Sequence, residues 1–263
     1  MTAPSNMPLP LSVIVITKNE EHNIDACLDS VSFSDDIVVV DAASTDRTVE
    51  IARERGATVF VEEWLGFSEA KSFALRHVRH DWVFWLDADE RLTEEARDEI
   101  QLIASSGDTR FAAYRIARKS FFLGKWIRHS GWYPGYVTRL FRKSLSRFSD
   151  SDVHEFLEVE GLTGTLRHDI LHYTDADLNH YFSKYNRYTT LAAEEMQRKG
   201  RRANPADLLL RPLIVFLKMY FIRLGFLDGM EGFILARLSA SYVFTKYAKL
   251  WEAVRIKSAS DRN

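Results

Sequence analysis

Three short apolar runs, each ended by polar or acidic side chains, constrain the fold of this chain more than any other feature of its sequence. Residues 13–16 are followed by Thr-Lys-Asn-Glu, residues 37–40 by Asp41, and residues 83–86 by Asp-Ala-Asp. Continuous apolar runs rich in β-branched residues are typical of strands that are buried on both faces, as in parallel sheets. The sequence therefore predicts a parallel sheet whose strands carry polar residues at one end.

Helix signals alternate with these runs. Segments between and after them predict helices, at about residues 24–30, 46–55 and 68–78. A Ser-Thr-Asp cluster supplies a candidate N-cap for the second helix, and Gly56 ends it. Thr93 caps a further helix that carries two glutamates in its first turn, where the helix dipole favours acids. The segment ATVFVEE adds another strand. Alternation through about residue 105 predicts an α/β fold, a doubly wound, mostly parallel sheet with flanking helices.

The character of the chain changes after residue 110. FAAYRIAR, YVTRLFRKS and TLRHDILHY predict shorter, more amphipathic strands, which favour an antiparallel region. A long helix is predicted at about residues 176–199, before the KGRRANP break. The remainder, from residue 205 to residue 257, predicts two or three more helices.

Charge is distributed unevenly along the chain. Residues 201–263 contain 11 Lys+Arg and 5 Asp+Glu, a net +6, whereas the remainder contains 24 and 32, a net −8. Helices that mix apolar, aromatic and basic residues can lie in a membrane interface, and they can equally pack as a cap on the sheet. Such residues also bind RNA, but the acidic body and the lack of a nucleic-acid motif argue against that partner.

Cellular location is addressed by three further features. The single cysteine, Cys27, excludes an internal disulfide and fits a reducing compartment. The N-terminal MTAPSNMPLP lacks the basic start of a signal peptide. Charged residues interrupt every apolar stretch before the ~18 residues needed to span a bilayer. We therefore expect a cytoplasmic protein, attached peripherally to the membrane if its basic extension binds lipid.

Asp87 and Asp89 place two like charges one residue apart at the end of an apolar run. Mg²⁺ or Mn²⁺, carrying a substrate phosphate, would offset their repulsion, because these ions prefer carboxylate oxygens. A solvated strand-to-helix turn is the alternative. The chain contains neither G-x-G-x-x-G nor G-x-x-x-x-G-K-[ST]. We therefore expect a divalent metal, rather than a glycine-rich loop, to bind the phosphates.

Four segments together resemble the family 2 glycosyltransferases with the GT-A fold. They are SVIVITKNEE (12–21), VVVDAASTDRT (38–48), EAKSFAL (69–75) and WVFWLDADERL (82–92). Residues 141–161 and 184–188 resemble the branch of that family that adds glucose to the inner core of lipopolysaccharide. One departure is the pair Ala42 and Ala43, where the family often has Asp or Ser followed by Gly. The chain thus lacks a flexible turn beside Asp41.

The resemblance implies a nucleotide-sugar site built from Thr17, Glu20, Asp41, Lys71, Asp87 and Asp89. Asp41 would accept a hydrogen bond from the uracil N3–H, and Lys71 would approach the uridine or the diphosphate. An exposed helix lysine is the alternative for Lys71. Asp87 and Asp89 would hold the nucleotide and the metal. His172 would complete the metal shell, or else serve as a structural histidine.

An inverting transfer needs one general base to deprotonate the acceptor hydroxyl. The segment SDSDVHE offers Asp150, Asp152 and Glu155. The resemblance favours Glu155, with His154 beside it, and Asp152 is second. A polar loop before a strand is the alternative role of this segment.

Together with the acidic strand ends, the resemblance implies an inverting, metal-dependent glycosyltransferase. It would move a hexose, glucose from UDP-glucose, onto a lipid-linked saccharide at the inner face of the cytoplasmic membrane. Residues 1–200 would form the GT-A domain, with a nucleotide-binding half at about 10–105 and an acceptor half at about 106–200. Residues 201–263 would be a basic, amphipathic helical extension. A sugar nucleotidyltransferase and a non-catalytic membrane scaffold are the alternatives.

Overall fold

The chain divides into two compact units. The first comprises Met1–Arg118 and Tyr136–His172, and the second comprises Lys119–Gly135 and Tyr173–Asn263. The structure, a computed structural model, describes residues 9–63, 66–107, 109–149, 157–175 and 177–260.

Strands and helices alternate through the first part of the described chain, as predicted. The strands are β1 (Leu9–Thr17), β2 (Ser34–Asp41), β3 (Thr58–Val61), β4 (Trp82–Asp87), β5 (Glu90–Leu92), β6 (Ala113–Phe122), β7 (Lys125–Trp126), β8 (Gly135–Arg142), β9 (Ser146–Phe148), β10 (Leu157–Val159) and β11 (Thr163–Asp175). The helices are α1 (Ile24–Ser30), α2 (Thr48–Glu54), α3 (Phe67–His77), α4 (Glu94–Ser105), α5 (Leu178–Arg198), α6 (Pro205–Leu217) and α7 (Gly229–Ser260).

The main sheet has the strand order β3-β2-β1-β4-β8-β6-β11-β5. Strands β3, β2, β1 and β4 run parallel, whereas β8 is antiparallel to β4 and β5 is antiparallel to β11. Only Ala88 and Asp89 join β4 to β5, although three strands lie between them in the sheet order. The sheet must therefore curl until its last strand returns toward β4. The predicted α/β class, with flanking helices and a C-terminal helical region, is confirmed.

The buried run in β1 shows why the sequence lacks an alternating pattern there. Val13 and Val15 pack on the face of the sheet that α1 and α4 cover, and Ile14 and Ile16 pack on the face that α3 covers. Val13, Ile14 and Val15 are each 0% exposed. Both faces of the strand are thus covered, and removal of this apolar surface from water stabilises the sheet.

Helix boundaries follow the sequence signals closely, with one exception. α1 spans the predicted residues, and the Thr93 side chain accepts a hydrogen bond from the Ala96 N–H at 3.2 Å, as expected of an N-cap. Gly56, at φ +79°, follows the end of α2. The predicted cap of α2 is wrong: the N-cap residue is Arg47, without a side-chain cap. Asp46 instead accepts hydrogen bonds from the N–H groups of Thr48 and Glu21.

The second unit is built mainly from α5, α6 and α7. Ala193 of α5 packs with Tyr247 and Leu250 of α7, and all three side chains are buried. α6 begins with a capping box between Asn204 and Asp207. A π-helical turn and a 3₁₀ turn connect α6 to α7. None of the described helices combines the length and the apolarity needed to cross a bilayer.

Candidate functional site

Three of the predicted site residues end adjacent strands of the parallel half of the sheet. Thr17 ends β1, and it lies directly opposite Asp41, which ends β2. Ile16 lies opposite Asp87, which ends β4. The structure therefore brings Thr17, Asp41 and Asp87 to one edge, the carboxyl ends of the strands, where ligands bind in open α/β sheets.

Asp41 is fully buried and is held by the turn that follows it. Its carboxylate accepts hydrogen bonds from the backbone N–H of Ser44, at 2.7 Å, and from the Ser44 hydroxyl. Asp41 also lines a small recess together with Ala42, Glu62 and Phe73. The recess has a volume of about 10 Å³, enough for about one water molecule. Since each carboxylate oxygen has two lone pairs, Asp41 retains the capacity to accept a further hydrogen bond.

Ala43 adopts a left-handed backbone conformation, with φ of 53°. A β-carbon in this region costs roughly 1–2 kcal/mol, and glycine avoids that cost. We expect Ala43→Gly to raise the free energy of unfolding by about 0.5–1 kcal/mol, because the relief of strain exceeds the greater chain entropy of glycine. Urea denaturation would measure the change. Ala42→Gly, at a buried neighbour without positive φ, is the matched control and should destabilise the protein. A loss of stability in both variants would contradict the prediction.

Thr17 and Glu20 flank the loop between β1 and α1. The Thr17 hydroxyl is buried and has no hydrogen-bond partner among the described residues. The Glu20 N–H donates to the Thr48 hydroxyl at 2.8 Å, and the Glu20 carboxylate accepts a hydrogen bond from the Asn23 side chain at 2.8 Å. This loop is thereby fixed to the start of α2. A buried hydroxyl without a protein partner is a group that a ligand or a water molecule can satisfy.

Lys71 is not an exposed helix lysine. Its side chain is 4% exposed, and its ammonium group lies 3.8 Å from the ring centre of Trp85. The Arg139 guanidinium lies 4.0 Å from the same ring centre. Two cations therefore gather around one aromatic ring near the end of β4, and such contacts are favourable when they are desolvated.

The cation beside Asp87 is Arg139. Arg139 Nη2 donates to Asp87 at 2.6 Å and lies 2.7 Å from a carboxylate oxygen of Glu90. The Trp85 Nε1–H donates to the other Asp87 oxygen at 3.2 Å, and Glu90 accepts a hydrogen bond from the Asp87 N–H at 3.1 Å. Arg139 Nε and Nη1 have no hydrogen-bond partner among the described residues. Asp87 is thus held in one orientation by protein groups.

Burial and the nearby cations have opposite effects on the pKa values of the Asp87 and Glu90 carboxyls. Desolvation alone would raise the pKa of the Asp87 carboxyl, but Arg139 and Lys71 lower that pKa to about 2. Glu90 is 0% exposed, and its burial raises the pKa of its carboxyl even though Arg139 opposes the change. Burial also raises the pKa of the Cys27 thiol, which donates a hydrogen bond to the backbone carbonyl of Asp87 at 3.6 Å. Asp87 is therefore ionised at neutral pH, and Cys27 is a poor candidate for a nucleophile.

Arg139 and Glu90 were not assigned a role from the sequence. Glu90 stands inside the WVFWLDADERL segment, and a third acid so near two others was a signal that a cation had to be close. Arg139 gave no local signal. Its position depends on the antiparallel pairing of β8 with β4, in which Phe84 lies opposite Leu140.

Asp89 lies in the turn between β4 and β5, rather than in an extended strand with Asp87. The rule that strand residues i and i+2 point to one side therefore does not apply to this pair, because residues 88–89 form a turn. The Asp89 carboxylate is 3.5 Å from His172 Nε2. His172 lies on β11, opposite Glu90 on β5. The structure thus places His172 beside Asp89, as the metal hypothesis requires.

Asp89 and His172 could supply two of the ligands of a divalent metal ion. Among the described residues, no three His, Cys, Asp or Glu side chains form a group able to hold a metal ion. Asp89 and His172 provide one oxygen and one nitrogen donor at close range. Imidazole is a less suitable ligand for Mg²⁺, which prefers oxygen, so this pair fits Mn²⁺ better. Substrate oxygens and water would have to supply the remaining ligands.

The candidate bases Asp150, Asp152 and Glu155, with His154, lie outside the described residues, so their roles stay predictions. The strands on either side are described: β9 and β10 form a hairpin in which Phe148 lies opposite Leu157. Phe148 also contacts the Trp85 ring edge-on, at 5.5 Å between ring centres.

Comparison with known proteins identifies the family. The profile of glycosyl transferase family 2 matches residues 12–159. A lipopolysaccharide core biosynthesis glycosyltransferase of Rhizobium meliloti is 32% identical over 263 residues, 95% of this chain and 95% of the relative. An uncharacterized glycosyltransferase of Rickettsia bellii is 32% identical over 92% of this chain and 86% of that protein.

A solved structure, glucosyl-3-phosphoglycerate synthase from Mycobacterium tuberculosis in complex with Mn²⁺, UDP and glucosyl-3-phosphoglycerate, is 26% identical with a TM-score of 0.34. The match covers 42% of this chain and 43% of that chain. The profile match and the relatives aligned over nearly the whole chain determine the assignment: this protein is a glycosyltransferase that belongs to glycosyl transferase family 2.

Proposed function

We propose that this glycosyltransferase transfers glucose from UDP-glucose, with inversion and with a divalent cation, to a saccharide of a lipid-linked acceptor such as the lipopolysaccharide core. The observation that carries the proposal is the convergence of Thr17, Asp41 and Asp87 at one edge of the sheet, with Asp89 in the adjoining turn. The resemblance to the glucose-adding branch supports the choice of sugar, and the Rhizobium meliloti relative supports the choice of acceptor.

The nucleoside would bind at the ends of β1 and β2. Asp41 ends β2 there, and its carboxylate would accept the N3–H of uracil. The Ser44 hydrogen bonds fix the orientation of that carboxylate before the nucleotide arrives. Glu20 and the unpartnered Thr17 hydroxyl would complete the pocket. Preorganisation of this kind lowers the entropy lost on binding.

The diphosphate would lie near Lys71, Trp85 and Arg139. The Arg139 Nε and Nη1 donors are buried and have no partner among the described residues, and an anionic ligand would satisfy them. Asp89 and His172 would hold the metal, which when bound supplies positive charge to the leaving diphosphate. Asp87 is already occupied by Arg139 and Trp85, so we assign it to positioning these groups and the nucleotide.

The general base would come from the segment between β9 and β10, with Glu155 preferred over Asp152. Support comes from the anchoring of this hairpin on Trp85 through Phe148. A carboxylate there would remove the proton of the acceptor hydroxyl as the hydroxyl attacks the sugar. No second carboxylate is needed as a nucleophile when configuration inverts.

The acceptor hypothesis places the protein at the inner face of the cytoplasmic membrane, with its C-terminal helices in peripheral contact. Support comes from the basic composition of residues 201–263, which carry a net +6. Anionic lipids attract such segments. The enzyme would then meet a lipid-linked saccharide at the surface where that saccharide is held.

Thermal unfolding with UDP, GDP, CMP and TDP, each with Mn²⁺, Mg²⁺ or EDTA, tests the donor site. A ligand at 100 times its Kd that binds only the folded state adds about 2.7 kcal/mol. We expect UDP with Mn²⁺ to raise the Tm by roughly 5–10 °C, and EDTA to remove most of this shift. The purified protein with UDP-glucose and a lipopolysaccharide core acceptor then tests transfer.

Other outcomes of this screen decide between the alternatives. If a nucleotide other than UDP alone raised the Tm, the donor would be a sugar linked to that nucleotide. Pyrophosphate release from a nucleoside triphosphate and a sugar phosphate would indicate a nucleotidyltransferase. No shift with any nucleotide would contradict the donor site proposed above.

A further inference from the structure

The second unit exposes a concentrated group of large apolar side chains between the middle of α6 and the start of α7. We call it the 209–233 face, and its members are Leu209, Leu210, Leu213, Ile214, Leu217, Phe221, Ile222, Leu224, Phe226, Leu227, Met230 and Phe233. These are twelve of the 23 large apolar side chains that are exposed among the described residues. Such exposure in one short stretch marks an interaction surface, because isolated exposed apolar residues are the norm elsewhere.

Aromatic contacts join the parts of this face. Phe216 of α6 stacks on Tyr220 at 5.5 Å between ring centres. Tyr220 contacts Phe226 of the 3₁₀ turn at 6.3 Å and Phe233 of α7 at 5.6 Å, both edge-on. These ring contacts connect α6, the two turns and the start of α7, and they include Phe226 and Phe233 of the 209–233 face itself.

The exposed charged residues of the segment 205–237 are all basic. They are Arg211, Lys218, Arg223 and Arg237. Basic side chains with long aliphatic stems can keep their charge in water while the stem covers apolar surface. The apolar face is therefore accompanied by positive charge only.

The three acids of the same stretch are engaged inside the second unit. Asp207 is 5% exposed and is paired with Arg211. Asp228 is 3% exposed and accepts the His129 N–H at 2.9 Å. Glu231 is paired with Lys125 at 3.0 Å. Since Asp207 balances the charge of Arg211, the exposed basic residues left for an anionic partner are Lys218, Arg223 and Arg237.

We propose that the 209–233 face docks into the interface of an anionic phospholipid bilayer, with its apolar side chains among the upper acyl chains and its basic side chains at the head groups. Apolar burial and attraction to anionic head groups act together in such docking. A second copy of this chain is a poorer occupant, because an isologous contact would set Lys218 and Arg223 against the same charges. The proposal rests on the peripheral membrane contact of the proposed function and identifies the surface that makes this contact. It does not depend on which donor or acceptor the enzyme uses.

Flotation of the full chain with lipid vesicles tests this proposal. Vesicles of phosphatidylglycerol and phosphatidylethanolamine are compared with vesicles of phosphatidylcholine, without nucleotide or saccharide. We expect at least roughly tenfold tighter partition to the anionic vesicles, since each basic residue near such a surface contributes about fivefold. High salt should weaken the binding because it screens the charges.

Glutamate substitutions test whether lipid binding depends on the 209–233 face rather than on exposed apolar residues elsewhere. Ile222 and Leu227 are 76% and 57% exposed, so Ile222→Glu and Leu227→Glu should fold normally and reduce vesicle partition by about tenfold or more. Leu102→Glu and Leu162→Glu, at residues of the first unit that are 69% and 66% exposed, are the matched controls and should bind as the parent protein does.

Three results would overturn the proposal. One is absence of binding to the anionic vesicles, and another is equal loss in the control variants. The third is a dimer in solution that Ile222→Glu dissociates, because a second copy would then cover the face. The nucleotide-induced thermal shift is measured without vesicles, so a failure of lipid docking and a failure of the donor site are distinguishable.

Discussion

Arg139→Met is expected to lower the free energy of unfolding by about 3–5 kcal/mol, because it leaves the fully buried Glu90 carboxylate without its nearest counter-charge. Arg139 is 2% exposed, and its Nη2 lies 2.6 Å from Asp87 and 2.7 Å from Glu90. Methionine has a similar length but no charge and no hydrogen-bond donor. The loss would be measured by urea denaturation.

The double variant Glu90→Gln with Arg139→Met provides the control for charge. A glutamine oxygen can still accept the Asp87 N–H, but it carries no charge to be buried. We expect the double variant to recover at least part of the stability that the single variant loses, so the two effects should not add. Arg139→Met with the stability of the parent protein would show that this ion pair does not hold the end of β4.

Asp89→Asn is expected to reduce kcat for glycosyl transfer by about 10²–10³ at saturating donor, with little change in stability. The substitution removes the charge of the one carboxylate assigned to the metal but keeps its size. Stabilisation of charge in the transition state by several kcal/mol corresponds to a rate change of this order. Initial rates with UDP-glucose over a range of Mn²⁺ concentrations would measure it, and the variant should require more Mn²⁺.

A matched aspartate tests whether the effect is specific to the turn. Asp98 on α4 has a side chain that is 69% exposed and lies 3.4 Å from Arg97 on the surface. Asp98→Asn should transfer at the rate of the parent protein. Full activity of Asp89→Asn, at unchanged Mn²⁺ requirement, would remove Asp89 from the metal site.

Local sequence patterns were sufficient to predict the parallel half of the fold. The β-branched run in β1 is buried on both faces, and the strand ends carry Thr17, Asp41 and Asp87 as predicted. These features could be predicted because they depend on periodicity and on the general rule that parallel strands end at a common edge. Their functional roles, and the division of the chain at residue 200, remain predictions.

Features that depend on distant pairing could not be predicted from local patterns. Arg139 lies in an amphipathic strand about which the sequence says nothing beyond its period, and it reaches Asp87 only because β8 pairs with β4. The position of Asp89 depends on the turn that follows Asp87, which the acidic motif does not specify. The environment of Lys71 likewise depends on how α3 packs near Trp85.

The curl of the sheet also limits where proteins of this architecture can change in length. β4 and β5 are joined by two residues although β8, β6 and β11 lie between them in the strand order. An inserted residue in that turn would shift β5 out of register with β11, and a one-residue slip reverses which face each side chain occupies. Natural variation in the Asp89 turn is therefore expected to consist of substitutions, because a change in its length would disturb the pairing of β5 with β11.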